Sequence, residues 1–346
     1  MSGAVLGIQM AYWQETLLKL GLGLAAVLLL TGGAVYLYLF KFVSFMQSRL
    51  GPMEAGPYGS LQLLAEVGKW LQKEDVFTEN ADRFIFGLAP AIVLSSTFLM
   101  FVVIPAGPSA VIADLGTGIY YVLAMSSLSV LGILMAGWAS ANKYALLGGL
   151  RAAGQLIAYE LPLVLAVVGV VIQAGSLNLQ DIVAAQSNGA IFGWTGIGSP
   201  YILTQFVAFG IFMIAVQAEL TQTPFDMPIA ESELVAGYQV EYTGIRFLVY
   251  FISEFATAVG FAAVASTLFL GGWALPTSWG LSNGVMNFVG PLMIATKAIL
   301  LVGVVFWARF SLPRFREDQL QTLAWKFMIP IALLNIVVTA VLKVVF

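Results

Sequence analysis

The chain has 346 residues, 60% of them hydrophobic and only 10% charged, with a formal net charge of −3. It contains neither cysteine nor histidine, which excludes thiolate-held iron–sulfur clusters and imidazole-ligated haem, zinc or copper on this polypeptide. A mean hydropathy of +0.93 and long charge-free runs exclude an ordinary soluble domain and predict an all-α integral membrane protein. The alternation expected of a transmembrane barrel is absent, and so small a net charge points to no nucleic-acid partner.

Eight spans are predicted, at 19–40, 84–104, 118–140, 152–173, 199–218, 247–270, 288–308 and 324–344. Each is near the roughly 20 residues that cross about 30 Å of hydrocarbon. The first run is too long for a signal-peptide core and is followed by no small-residue cleavage site, so it reads as a retained span. Within it, Gly21 and Gly23 suit close helix packing, because no strand precedes them as a dinucleotide fingerprint requires. The chain reads as a single polytopic membrane domain over 1–346, without a visible internal repeat.

Between spans 1 and 2, Gly51-Pro52 and Gly56-Pro57 break the chain, and Tyr58–Lys73 then reads as an amphipathic helix. Gln62, Glu66, Lys69 and Lys73 share one face; Leu61, Leu64, Gly68 and Leu71 share another, with Leu63, Val67 and Trp70 beside it. Too short to span, it suits the cytoplasmic interface, a soluble partner's docking face, or both.

Three ionisable residues interrupt apolar spans. Glu160 lies nine residues beyond Arg151, Glu254 eight beyond Arg246, and Lys297 twelve before Arg309, which is roughly 12–18 Å at about 1.5 Å per residue. A charge at that depth costs about 2.5–3.5 kcal/mol on insertion scales, so each should face the bundle interior. There it is either a helix-pinning pair or part of a proton path.

The densest charge cluster follows span 5. Ala218–Tyr242 reads AELTQTPFDMPIAESELVAGYQVEY, with Glu219, Asp226, Glu231, Glu233 and Glu241 and no Lys or Arg. Such an acidic loop, about 219–246, belongs in a water-filled or protein-lined cavity. Pro228, Ser232 and Gly237 read as shaping it; Tyr159, Tyr238 and Tyr242 suit either hydrogen bonding into the cavity or the membrane interface. The loops 105–117, 174–198 and 271–287 carry no Lys or Arg. Basic residues lie in the loops on the other side, so those loops, the acidic one included, are cytoplasmic and both termini face outward.

These segments resemble the family of quinone-chamber membrane subunits of proton-pumping NADH:quinone oxidoreductase (respiratory complex I), in order along nearly the whole chain. The resemblance rests on MQSRLGPMEAGPYG (46–59), LRAAGQLIAYE (150–160), PFD (224–226), ESELVAG (231–237), EY (241–242), FLGGW (269–273) and FSLPRFREDQL (310–320). It implies a non-catalytic subunit of a bacterial inner-membrane translocase that forms part of a quinone chamber and couples quinone reduction to proton translocation. Quinone would be substrate, with flavin and iron–sulfur clusters only on partner subunits. Those partners would be the peripheral-arm iron–sulfur and quinone-site subunits, small membrane subunits, antiporter-like subunits and lipid. Arg49, Leu61, Leu64, Trp70, Phe225, Asp226, Glu231 and Arg246 would line the chamber and its opening. Glu160, Glu219, Glu231, Glu233, Glu241, Glu254 and Lys297 would form the proton path.

The chain departs from the family pattern at four places. Leu39-Phe40 replaces a glutamate–arginine pair, Glu54 stands at a usual arginine, Gln222 replaces an arginine two residues before PFD, and Ile229 replaces a glutamate. Two other functions fit parts of the pattern. The equivalent membrane subunit of an energy-converting hydrogenase or formate hydrogenlyase would be revealed by a [NiFe] site on the large partner subunit. A free-standing ion transporter would use Glu160, Glu254 and Lys297, but should purify alone and lack so one-sided a charge distribution.

Overall fold

The computed structural model describes residues 4–5, 8–9, 12–189, 198–275 and 282–345. The cation-free loops 174–198 and 271–287 are therefore covered in part, their stretches 190–197 and 276–281 lying outside the described residues.

A two-residue antiparallel pairing, Ala4–Val5 with Ile8–Gln9, precedes the helices. The first helix, α1 (Tyr12–Ala34), runs on through π-helical turns at Val35–Phe42 and a last turn at Val43–Met46. Then come α2 (Gln62–Gln72), α3 (Arg83–Met100), α4 (Gly118–Ala139), α5 (Lys143–Ala174) and α6 (Leu179–Asn188). After these follow α7 (Phe206–Glu219), α8 (Gly244–Phe269), α9 (Asn283–Ser311) and α10 (Glu317–Val345).

Among the described residues, seven helices are long and apolar enough to cross a membrane. The fifth expected span, 199–218, is shortened: α7 has 14 residues, which at about 1.5 Å each reach only roughly 21 Å of the hydrocarbon thickness. Residues 201–204 before it form turns instead of helix. Ala208, Ile211, Phe212, Ala215 and Val216 of α7 are buried, so protein shelters much of this shortened helix. Span 1 is longer than expected, running Thr16–Met46.

Several ends follow from local chemistry. Asp82 accepts from the Phe84 and Ile85 amides and starts α3; Asn142 does the same for α5 through Tyr144. Gly175, at φ 78°, ends α5 in the left-handed conformation. Gly23 meets a loop and not a helix, since a Cβ there would sit 2.7 Å from the Ile112 side chain, and nothing lies within 4 Å of one at Gly21.

The core runs through α5, α7, α8 and α9, with α8 buried along most of its length. α5 packs along α7 and α8 along α9, and the N-terminal ends of α5 and α8 both meet the acidic loop. That arrangement positions the site.

Candidate functional site

The acidic loop is folded down onto the helix ends. Gln155 on α5 donates to the Ala218 and Phe225 carbonyls, both at 2.8 Å, tying the end of α7 to the loop. Gln217 donates to the Thr223 carbonyl at 2.8 Å, next to a cis peptide at Thr223-Pro224. Close approach is possible because two glycines meet: a Cβ on Gly148 of α5 would lie 2.6 Å from the Tyr238 nitrogen. Gly237 has φ +55°, and a Cβ there would overlap the Pro228 carbonyl oxygen at 1.7 Å. The loop-shaping role expected of Gly237 is thus a steric requirement.

Charges then alternate in sign across this face. Glu254 on α8 pairs with Arg309 at the end of α9, 3.2 Å apart, and also accepts from the Gln222 amide at 2.9 Å. Arg309 lies within Coulombic reach of Asp226, whose carboxylate pairs with Arg314 at 2.6 Å. Arg314 also donates to Ser232 at 3.0 Å, and Glu231 lies close enough to Asp226 to repel it. Burial raises the Asp226 pKa, Arg314 and Arg309 pull it down, Glu231 pushes it up, and the balance leaves it raised.

The remaining acids are held separately. Glu233 pairs with Arg151 of α5 at 2.7 Å. Glu241 accepts from Asn142 at 2.5 Å and Thr78 at 3.1 Å. Beside it, the Tyr242 hydroxyl donates to the Phe86 carbonyl at 3.2 Å while its ring stacks on Phe86, and burial pushes its pKa up to about 12. Glu160 and Glu219 approach each other closely enough to interact electrostatically. Neither makes a side-chain hydrogen bond among the described residues.

Other expected site residues are distributed less simply. Arg246 pairs with Asp75 at 3.0 Å and lies 3.7 Å over the Phe77 ring, so its partner lies outside the acidic loop. Arg49 is exposed and donates to Gln47, away from the acids. Phe225 is 3% exposed, packed edge-on to Tyr159 and tilted against Phe315. It packs into the core, where Gln155 bonds its carbonyl, and it also lines a cavity of about 310 Å³ with Met213, Gln217, Pro224 and Phe315. Tyr159 donates to the Leu320 carbonyl at 2.9 Å and is likewise buried.

Lys297 is not among the acids. Its ammonium donates to the Leu270 and Gly272 carbonyls at 2.8 and 2.7 Å, at the opposite end of α8. The partial negative charge of a helix C-terminus attracts it there.

The expected amphipathic helix is shorter than 58–73. Pro57–Gly59 forms a single 3-10 turn, and regular helix spans Gln62–Gln72. Trp70 stacks on Phe247 of α8 at 4.6 Å, and Leu63 reaches toward Gly32 of α1. This helix therefore touches α1 and α8 by its inner face, while Leu61 and Leu64 remain exposed. An aromatic row, Tyr38, Phe306 and Phe255, stacks from the π-helical part of α1 to the neighbour of Glu254.

Arg309, Arg314, Gln155, Gln222, Asp75, Thr78 and Asn142 complete the site, although sequence reasoning assigns them no place in it. Arg309 and Arg314 carry a signal, since they lie in or beside the FSLPRFREDQL stretch. Gln155 lies within LRAAGQLIAYE and Gln222 stands at a departure from the family pattern, whereas Asp75, Thr78 and Asn142 carry no signal that one sequence reveals.

Residues 19–340 match the NADH dehydrogenase family. The chain belongs to that family. Among curated members of the NADH dehydrogenase family, it is 45% identical over 324 residues to the H subunit of the NADH-quinone oxidoreductase of Brevibacillus brevis, covering 92% of each chain. It is 42% identical over 339 residues to the protein of that name from Anoxybacillus flavithermus, covering 96% of each. The one from Bacillus thuringiensis subsp. konkukian is 43% identical over 340 residues, with 96% coverage of both. These extents match the near-complete span of the motif resemblance.

Proposed function

We propose that this chain is a membrane subunit of a bacterial proton-translocating NADH:quinone oxidoreductase, walling part of the quinone chamber and converting quinone reduction into proton movement. The observation that carries the coupling role is the alternating row Glu254, Arg309, Asp226 and Arg314, which runs from a membrane helix into the acidic loop. Reduction of a quinone to a quinol takes up two protons and places transient negative charge in a poorly hydrated space. Added negative charge raises the proton affinity of nearby carboxylates and loosens their pairing with arginine. Glu231, exposed beside Asp226 and without an ion pair among the described residues, faces this charge first; Glu160 and Glu219 receive protons deeper in the bundle.

The tail-accepting opening lies between α1, α2 and α8, with Leu61, Leu64 and Trp70 at its border. The acidic loop faces the cytoplasm, where peripheral-arm subunits carrying flavin and iron–sulfur clusters deliver electrons. Small membrane and antiporter-like subunits adjoin the other side. The chamber wall comprises Phe225, Asp226, Glu231, Arg314 and the α2 border; with Lys297 at the far end of α8, the proton path ends at Glu254.

The test is the double change Glu231→Gln and Glu233→Gln in the assembled complex. NADH-driven quinone reduction with severely reduced proton pumping is expected. Normal pumping by a fully assembled double variant would remove the loop from the mechanism.

A further inference from the structure

The exposed face of α2 carries two lysines that the quinone role does not use, beside the leucines placed at the border of the tail opening. Leu61, Leu64 and Leu71 are 51%, 67% and 57% exposed, and with Gly68 they make a stripe turned away from the protein. Along one side of this stripe stand Lys69 and Lys73. Their ammonium groups lie 5.1 and 4.7 Å from the Trp70 ring centroid, while that ring is stacked on Phe247. With Ala65, Gly68 and Gln72 they line an open depression of about 660 Å³ that contains no carboxylate. Of the nearby acids, Glu66 accepts from Gln62 at 3.2 Å, Asp75 is held by Arg246, and Glu74 follows Lys73 on the exposed side of the chain. Neither lysine makes an ion pair among the described residues.

We propose that Lys69, Trp70 and Lys73 form a headgroup site for an anionic phospholipid whose acyl chains lie along Leu61, Leu64 and Leu71. Two ammonium groups bordering one aromatic ring match a phosphodiester in charge, and a ring of mixed polarity suits headgroup depth. The adjacent apolar stripe supplies what a free phosphate could not use, which selects the lipid as occupant. The stacking of Trp70 on Phe247 links occupancy to the start of α8. The inference rests on α2 lying at the membrane interface but needs no quinone chemistry, so its test is read without turnover.

In the assembled complex in phosphatidylcholine vesicles containing phosphatidylglycerol with a photoactivatable chain, the probe should label 61–73. In a K69Q/K73Q variant, labelling should fall on the order of 10- to 30-fold, since each basic residue near an anionic surface is worth about 1 kcal/mol. K69R/K73R should retain it, and a phosphatidylcholine probe should label all three alike. Equal phosphatidylglycerol labelling of the wild type and K69Q/K73Q would overturn the proposal. So would loss of peripheral-arm subunits from K69Q/K73Q whatever the lipid, which would assign the lysines to a protein contact.

Discussion

The two ends of the helix bundle use charge in opposite ways. At the acidic end, Arg151, Arg309 and Arg314 pair with carboxylates of the loop and of α8. At the other end, lysines meet backbone. Lys297 caps α8 through the Leu270 and Gly272 carbonyls, and Lys343 caps α5 through those of Ile172 and Gln173. Neutral amides close much of the rest: Gln186 accepts from Tyr201 and Gly271 and donates to Thr267, and Gln205 joins Asn335 and Thr339, while Asp114 and Asp181 accept from Asn178 and Ser176. Carbonyl partners cannot take up a proton near neutral pH, whereas carboxylates can. The arginines of one end thus meet groups that can be protonated, and Lys297 and Lys343 at the other meet groups that cannot.

That contrast can be broken most severely at Gly237. Gly237→Ala places a Cβ into the Pro228 carbonyl and adds about 1–3 kcal/mol of left-handed backbone strain. The loop should lift off α5, exposing 226–240 to limited proteolysis and abolishing pumping. Next in size is Arg309→Gln, which leaves Glu254 with only its amide partner. Removing one member of a buried pair costs roughly 3–5 kcal/mol; because these side chains keep 26% and 20% exposure, about 2 kcal/mol is expected after solvent screening. Thermal unfolding in nanodiscs would measure it, with a parallel fall in protons moved per quinone.

Lys297→Met sharpens the comparison from the other side. Loss of the α8 cap should cost about 1–2 kcal/mol yet leave protons per quinone unchanged in the assembled complex. A stable Lys297→Met complex that reduces quinone without pumping would show that both ends titrate, and the contrast would fail.

The smallest effect is a shift in pH. The folded Asp226 carboxyl has a pKa above its ordinary 3.8, so the fold binds the proton more readily than the unfolded chain does. The group's stabilising contribution is therefore present below 3.8 and lost as pH rises through the folded value. Arg314→Gln removes the largest opposing influence and should move the Asp226 titration upward. Isotope-edited infrared spectroscopy of the carboxyl band would detect it; an unchanged or lowered midpoint would mean that Arg314 does not govern this acid.

Composition and periodicity carried the membrane class, most of the spans and the acidic loop, because burial in lipid restricts residue type over whole helices. The shortening of α7 was not legible, since its apolar run continues through 201–204, where the chain turns. The burial of Phe225 was not legible, because an aromatic beside an acid looks alike whether it faces in or out. The partners of Glu241 and Arg246 are separated from them by up to 171 residues, a separation on which local pattern has no bearing.

By itself the amino-acid order determined that this chain lies in a membrane, which loops concentrate its charge, and the motif order that marks its family. Only the packing of α5, α7, α8 and α9 decided which acid meets which arginine, that Gln222 takes up a place beside Glu254, and that Lys297 caps a helix far from them. The reason is geometric. Hydrophobic transfer acts on each segment separately and can be read along the chain, but an ion pair exists only where two distant segments bring oppositely charged atoms within a few ångströms.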